Sequence, residues 1–282
     1  MTGTGTGDSA ANLRYVEANG LRFAYLEQGS GPLVLLLHGF PDTAHTWDTV
    51  RGRLAASGFR AVSPFMRGYR PSAIPERDAD GETLGRDVLE LISALGESSA
   101  VVVGHDWGAS AAYGAAALDP LRVRQLITLA IPHPATLRAT PAKVWGVRHF
   151  ITYKFSGAAA RFARNDFAAL PAIYRRWSPT WDPAPEEFSD VRACFADRAS
   201  LDAAFGYYRA LSFTPPAFLK QKLPMPTVAF AGSDDPMATV DDFQHAASMF
   251  TGSYAVEEVP GGHFLHREHP DAFIGRLIAR LS

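Results

Sequence analysis

Hydrophobic positions along the chain fall in short unbroken runs separated by stretches with helical spacing: Leu33–Leu37, Ala61–Pro64, Ala100–Val103, Leu126–Ala130, Thr227–Ala231 and Ala255–Val259. A strand that is apolar at consecutive positions is buried on both faces, the habit of a parallel sheet covered by helices. Ahead of these runs, Leu13–Ala18 and Leu21–Glu27 flank Asn19-Gly20, a pair suited to a two-residue primed turn. The pattern predicts an α/β chain that opens on a hairpin and continues as a mostly parallel sheet of about eight strands flanked by helices.

The alternation lapses between Ile131 and Leu223, where proline, tryptophan, tyrosine and arginine crowd together. This predicts a helical cap over residues 133–222, inserted after the sixth strand, which divides a core into 13–132 and 223–282. Residues 1–12 are rich in Gly, Thr and Ser and are expected to form a flexible tail. Such a cap covers the carboxyl ends of the strands, where ligands bind in these sheets, so the site is expected between cap and core.

Composition narrows the partners. With 47% hydrophobic and 20% charged residues the chain is globular, and a formal charge of −2 with scattered basic residues gives no footprint for nucleic acid or an anionic membrane. Cys194 is the sole cysteine, a buried or incidental thiol; an internal disulfide and a thiolate metal site are excluded, and a reducing cytoplasm suits the chain. The first residues lack the charged and apolar regions of a signal peptide, and no run approaches the roughly 20 apolar residues of a membrane span. The expectation is a cytoplasmic protein acting on a small neutral molecule, with a homodimer left open.

Chemistry concentrates at Val101-Val102-Val103-Gly104-His105-Asp106-Trp107-Gly108-Ala109-Ser110: a buried strand, a sharp turn, then a small-residue helix. That is the setting of a nucleophile elbow, with Asp106 where serine is usual. A carboxylate needs no deprotonation and displaces a leaving group at saturated carbon, forming an ester that water then cleaves. The competing reading of Asp106 is a helix N-cap. His38-Gly39-Phe40-Pro41 follows the strand whose loop supplies an oxyanion-hole donor in this arrangement, so the N–H groups of Phe40 and Trp107 are the candidate donors. The Phe40 ring suits packing as well as substrate contact.

His263, after a strand and the Gly261-Gly262 turn, is the candidate general base; an ordinary imidazole with pKa near 6.5 is neutral at neutral pH. His266 and His269 read as surface residues at the start of the last helix. The acid that orients the base is expected in Ser233-Asp234-Asp235 after the seventh strand, and one of the two aspartates also suits an Asx turn. Chain order, Asp then Asp then His, is that of the hydrolase elbow folds.

His38-Gly39-Phe40-Pro41, Arg67-Gly68-Tyr69, Gly104-His105-Asp106-Trp107-Gly108 and Gly262-His263 together resemble an α/β-hydrolase-fold epoxide hydrolase over nearly the whole chain outside the tail. The resemblance implies the α/β-hydrolase fold, an aspartyl-ester route to a vicinal diol, a neutral epoxide and water as substrates, and no metal or organic cofactor. It favours Asp235 over Asp234, since related enzymes place the acid three residues after this glycine. It implies proton donors in the cap: Tyr208, with Tyr207 its rival, and a first donor that falls on His149 by aromatic pattern or on Tyr153 after a one-turn shift. Trp145, Trp177 and Trp181 read as packing residues. Phe65 departs from the resemblance, because many relatives carry aspartate there before the Arg-Gly pair.

A haloalkane-type dehalogenase with the same Asp, His and Asp set is the alternative, and the Trp107 indole would suit halide. Against it, haloalkane dehalogenases commonly have asparagine where Phe40 stands, and haloacetate dehalogenases carry arginines where this chain has Trp107 and Ser110. A binding protein with a silent pocket and a serine esterase fit less well, since the triad residues are all present and no serine occupies the elbow.

Overall fold

A computed structural model describes residues 13–137, 148–212 and 214–281; the expected tail and Trp145 lie outside the described residues. The strands are β1 (Leu13–Ala18), β2 (Leu21–Gln28), β3 (Leu33–Leu37), β4 (Arg60–Pro64), β5 (Ala100–His105), β6 (Val123–Leu129), β7 (Thr227–Gly232) and β8 (Tyr254–Val259). They form one sheet in the order β1-β2-β4-β3-β5-β6-β7-β8. β1–β2 and β2–β4 pair antiparallel, and every other pair is parallel. Asn19 and Gly20 both take positive φ, 44° and 69°, as a primed two-residue turn requires.

Helices α1 (Asp48–Ala56), α2 (Gly81–Ala94) and α3 (Trp107–Leu118) follow β3, β4 and β5. Side chains on a strand alternate between faces, and here both faces are covered. Val34, Leu36, Val101 and Val103 pack with Val50 and Leu54 of α1 and with Phe273 and Leu277 near the C-terminus. Leu35 and Val102 point the other way, into a cluster with Leu84 and Ile92 of α2 and Ala112 of α3. Continuous apolar runs are the sequence trace of this double burial.

Between β6 and β7, in the segment expected as the cap, lie helices α4 (Arg148–Lys154), α5 (Ala158–Phe162), α6 (Leu170–Trp177), α7 (Ser189–Ala196) and α8 (Arg198–Ala210), followed after β7 by α9 (Val240–His245) and α10 (Pro270–Leu281). Cap and core share one hydrophobic cluster, centred on the Phe40 ring. That ring is fully buried and lies 5.3 to 6.0 Å from those of Tyr153, Phe162, Phe195, Phe205 and Tyr208. Its contacts are therefore packing contacts. Burying such rings contributes on the order of 1.5–3 kcal/mol each, which ties the cap down over the strand ends. Among the described residues, no helix is long and apolar enough to cross a membrane.

Candidate active site

Asp106 sits between the end of β5 and the start of α3 at φ 53° and ψ −118°. A non-glycine residue in that region costs about 1–3 kcal/mol and persists only where its neighbours enforce it. They do: a Cβ at Gly104 would overlap the Gly108 carbonyl, and one at Gly108 would overlap the end of β3. The two glycines let strand, turn and helix approach closely enough to hold the bend. The Asp106 side chain does not cap α3; its Oδ1 accepts the Phe40 N–H at 2.8 Å. Trp107 is the first residue of α3, so its N–H is among the donors a helix leaves without an intrahelical acceptor.

His263 bridges two carboxylates, with Nδ1 3.0 Å from Asp235 Oδ2 and Nε2 3.5 Å from Asp106 Oδ2. The second Asp235 oxygen accepts the Met237 N–H at 2.8 Å, while Asp234 is exposed and takes the Ser233 hydroxyl. Burial alone lowers an imidazole pKa, but the charge of Asp235, the close Asp106 carboxylate and the hydrogen bond to Asp235 outweigh it and raise His263 to about 9. In Asp106 burial works upward, and the close His263 imidazole and its charge reverse it to hold the carboxyl below its ordinary value. This corrects the expectation of a neutral imidazole at neutral pH. The shifts favour a carboxylate beside an imidazolium.

The structure also corrects the reading of His266 as a surface residue. It is 2% exposed, its ring 4.7 Å from that of Trp47, with Nε2 2.8 Å from the Thr46 hydroxyl. His269 is exposed, as expected. With Asp42 and His105, His266 forms a buried group whose potential ligand atoms lie within 4.8 Å of one another, a cluster that no local spacing disclosed. The Asp42 carboxylate already accepts hydrogen bonds from Tyr174 and Thr46 and pairs with the Arg267 guanidinium, whose charge opposes a cation. The donor set reads as a polar network and not as a metal centre. His105 within it was missed as a site residue: its Nε2 lies 2.9 Å from the carbonyl of His263.

Tyr208 is fully buried in α8, its ring 5.1 Å from Trp107 and 5.6 Å from Phe40, the residues whose backbones flank Asp106. Its hydroxyl has no hydrogen-bond partner among the described residues. Burial and then the nearby Asp106 charge raise its pKa well above that of an ordinary tyrosine, keeping it protonated. Tyr207 differs: its hydroxyl donates to the Arg67 carbonyl at 2.7 Å, so it is engaged in holding the core rather than free for a ligand. Arg67 itself pairs with Asp87 at 2.7 Å, the carboxylate that serves it where Phe65 offers none.

His149 and Tyr153, one turn apart on α4, both face Tyr208, at ring distances of 6.1 and 5.0 Å. His149 is 3% exposed, with Nδ1 3.5 Å from an Arg176 nitrogen and its ring 4.8 Å from that of Trp177. Trp177 is buried and Trp181 packs on Tyr174 and Phe264. A largely apolar pocket of about 150 Å³ reaches the elbow, lined among the described residues by Asp106, Trp107, Ser110, Ile131, Phe150 and Met237 in part. None of Tyr207, Tyr153, Tyr208, His149 and His263 is in that lining.

Comparison with known proteins agrees with the fold. The alpha/beta hydrolase fold family matches residues 32–270. An epoxide hydrolase of Caballeronia sordidicola is 44% identical over 123 residues, which is 42% of this chain and only 36% of that protein. Epoxide hydrolase A of Mycobacterium tuberculosis is 28% identical over 97% of this chain and 98% of its own length. A solved structure of novel epoxide hydrolases from metagenomes of hot environments superposes with a TM-score of 0.83 at 26% identity, covering 96% of this chain and 98% of that one.

Proposed function

The chain belongs to the α/β-hydrolase-fold family, a hydrolase by that membership, and we propose that it is an epoxide hydrolase that opens a small neutral epoxide to a vicinal diol through an ester on Asp106. The observation that carries the reading is a carboxylate in the elbow with a buried tyrosine, Tyr208, near enough to feel its charge and with a hydroxyl that has no hydrogen-bond partner among the described residues. An ester hydrolase needs the first group to be a hydroxyl and has no use for the second.

In this reading Asp106 Oδ2 attacks a ring carbon while Oδ1 stays on the Phe40 N–H and becomes the ester carbonyl. The carbon–oxygen bond of the ring breaks, and the departing oxygen takes the proton of Tyr208, which recovers one from water. His149 is the second group on that oxygen. Arg176 only donates, so its contact with Nδ1 fits an imidazole that carries its hydrogen on Nε2. Tyr153, on the same helix face, is the alternative for that place.

Alkylation removes the negative charge of Asp106, one of the two that raise His263 to about 9. The imidazolium then gives up its proton to solvent, replacing the one Tyr208 drew from water, and the base is made by the first step for use in the second. Neutral His263, oriented by Asp235, takes a proton from water as the water oxygen bonds to the Asp106 carbonyl carbon. The oxyanion rests on the N–H groups of Phe40 and Trp107. Collapse breaks the ester bond, the leaving alkoxide takes the proton held by His263, and the second proton of the water, left on the regenerated Asp106 carboxyl, passes to His263. Epoxide and water are consumed, diol is formed, and the side chains return to their starting state.

The test is an assay with styrene oxide, a haloalkane and an aryl ester. Diol release from the epoxide alone is expected. Halide release with no diol favours the dehalogenase alternative, and turnover of the aryl ester alone contradicts the assignment.

A further inference from the structure

The main chain around His263 is held on two sides. From the core, His105 Nε2 lies 2.9 Å from the His263 carbonyl, and Glu268 accepts the Gly262 N–H at 2.8 Å. From the cap, the Trp177 carbonyl at the end of α6 accepts the His263 N–H at 2.8 Å, and Ser178 Oγ accepts the Phe264 N–H at 3.0 Å. Ser178 is fully buried. The approach is close enough to demand glycine at 262, where a Cβ would come 2.7 Å from both Ser178 Oγ and the Trp177 carbonyl. Phe264 stacks on Tyr174 of α6 at 4.2 Å and 10°, so the cap helix and the His263 loop are packed as one unit.

We infer that Ser178 is a positioning residue for the second half of the reaction, holding His263 in the line between Asp235 and the Asp106 ester from the cap side. The inference rests on the epoxide hydrolase reading. Ring opening draws on Asp106 and the cap donors, none of which Ser178 touches. Ester hydrolysis draws on the direction of His263 Nε2, and a displacement of its loop lengthens the 3.0 Å bond to Asp235 and turns Nε2 away from the attacking water. Errors of about 1 Å in such a group slow a step by up to about a hundredfold. The cap thus serves both halves of the cycle, by hydroxyl groups in one and by its grip on the base in the other.

Two lesions test this from opposite sides. Ser178→Ala leaves the Phe264 N–H buried without its acceptor, and Gly262→Ala forces the same seam apart while removing no hydrogen-bonding group. In single-turnover rapid quench with styrene oxide, ring opening should stay within about twofold while ester hydrolysis slows by roughly ten- to a hundredfold, so that the Asp106 ester accumulates by intact-protein mass. Without substrate, the low-field proton resonance of His263 Nδ1–H should shift or broaden in both variants. If either variant fails to fold, the other decides. An unchanged resonance with unchanged half-reactions overturns the inference, and so does ring opening that slows as much as hydrolysis. Absence of any ester in the wild-type protein overturns the mechanism instead, and the resonance still decides the positioning role.

Discussion

The strand ends of the core and the helices between β6 and β7 supply the two halves of the proposed site, and they are built by different means. Asp106, Asp235 and His263 each stand at the end of a parallel strand, fixed by a turn, so their mutual distances follow from sheet register. Tyr208, His149 and Tyr153 stand on short helices whose places come from aromatic packing around Phe40. A sheet fixes a few groups to within tenths of an ångström, whereas packed rings tolerate repacking. The difference suggests that reaction type is set in the core and substrate preference in the cap.

The sharpest way to break that division is at the elbow. Asp106→Asn should lower epoxide turnover by about 10⁴-fold or more, because an amide does not form the ester, while cap substitutions leave residual chemistry. His263→Gln should come next, roughly a thousandfold in kcat with the ester accumulating by mass; no accumulation would place the base elsewhere. In the cap, Tyr208→Phe should slow ring opening by about ten- to a hundredfold and ester hydrolysis little, and the smaller effects of His149→Ala and Tyr153→Phe, ranked by the same measurement, identify the second donor. Tyr207→Phe should cost stability, by about 1 kcal/mol for the lost bond to Arg67, and leave the rate of ring opening alone.

Charge sharpens the comparison further. His263 is raised from 6.5 to about 9, so the stability it contributes is fully present below pH 6.5 and is lost as pH rises through about 9. Asp106→Asn removes one of the two charges responsible, and the His263 titration followed by NMR should move down toward the ordinary value. A titration that stays near 9 would show that Asp235 alone sustains it and that ester formation does not create the base.

The core was far more legible in the sequence than the cap, for local reasons. Gly104 and Gly108 around Asp106, and Gly261-Gly262 before His263, are turn chemistry written within a few residues. Apolar runs located β3 to β8, most of which are buried on both faces, and the Asn19-Gly20 pair marked β1 and β2. Tyr207 and Tyr208 are neighbours on one helix, about 100° apart, and only the packing of α8 decides that one hydroxyl reaches Arg67 while the other ring packs on Trp107. The raised pKa of His263 and the burial of His266 were hidden for a related reason, since both depend on residues brought in from distant parts of the chain. Ser178 gave no signal at all, because what it touches is backbone.

The central claim, covalent attack by Asp106, is tested most directly by a single turnover in ¹⁸O-water with enzyme in excess over styrene oxide, followed by mass analysis of both the diol and the Asp106 peptide. The account predicts that the first diol carries no solvent label, having taken its new oxygen from Asp106, and that the label appears in the Asp106 carboxylate. Label passing straight into the diol, with none in the peptide, would contradict it.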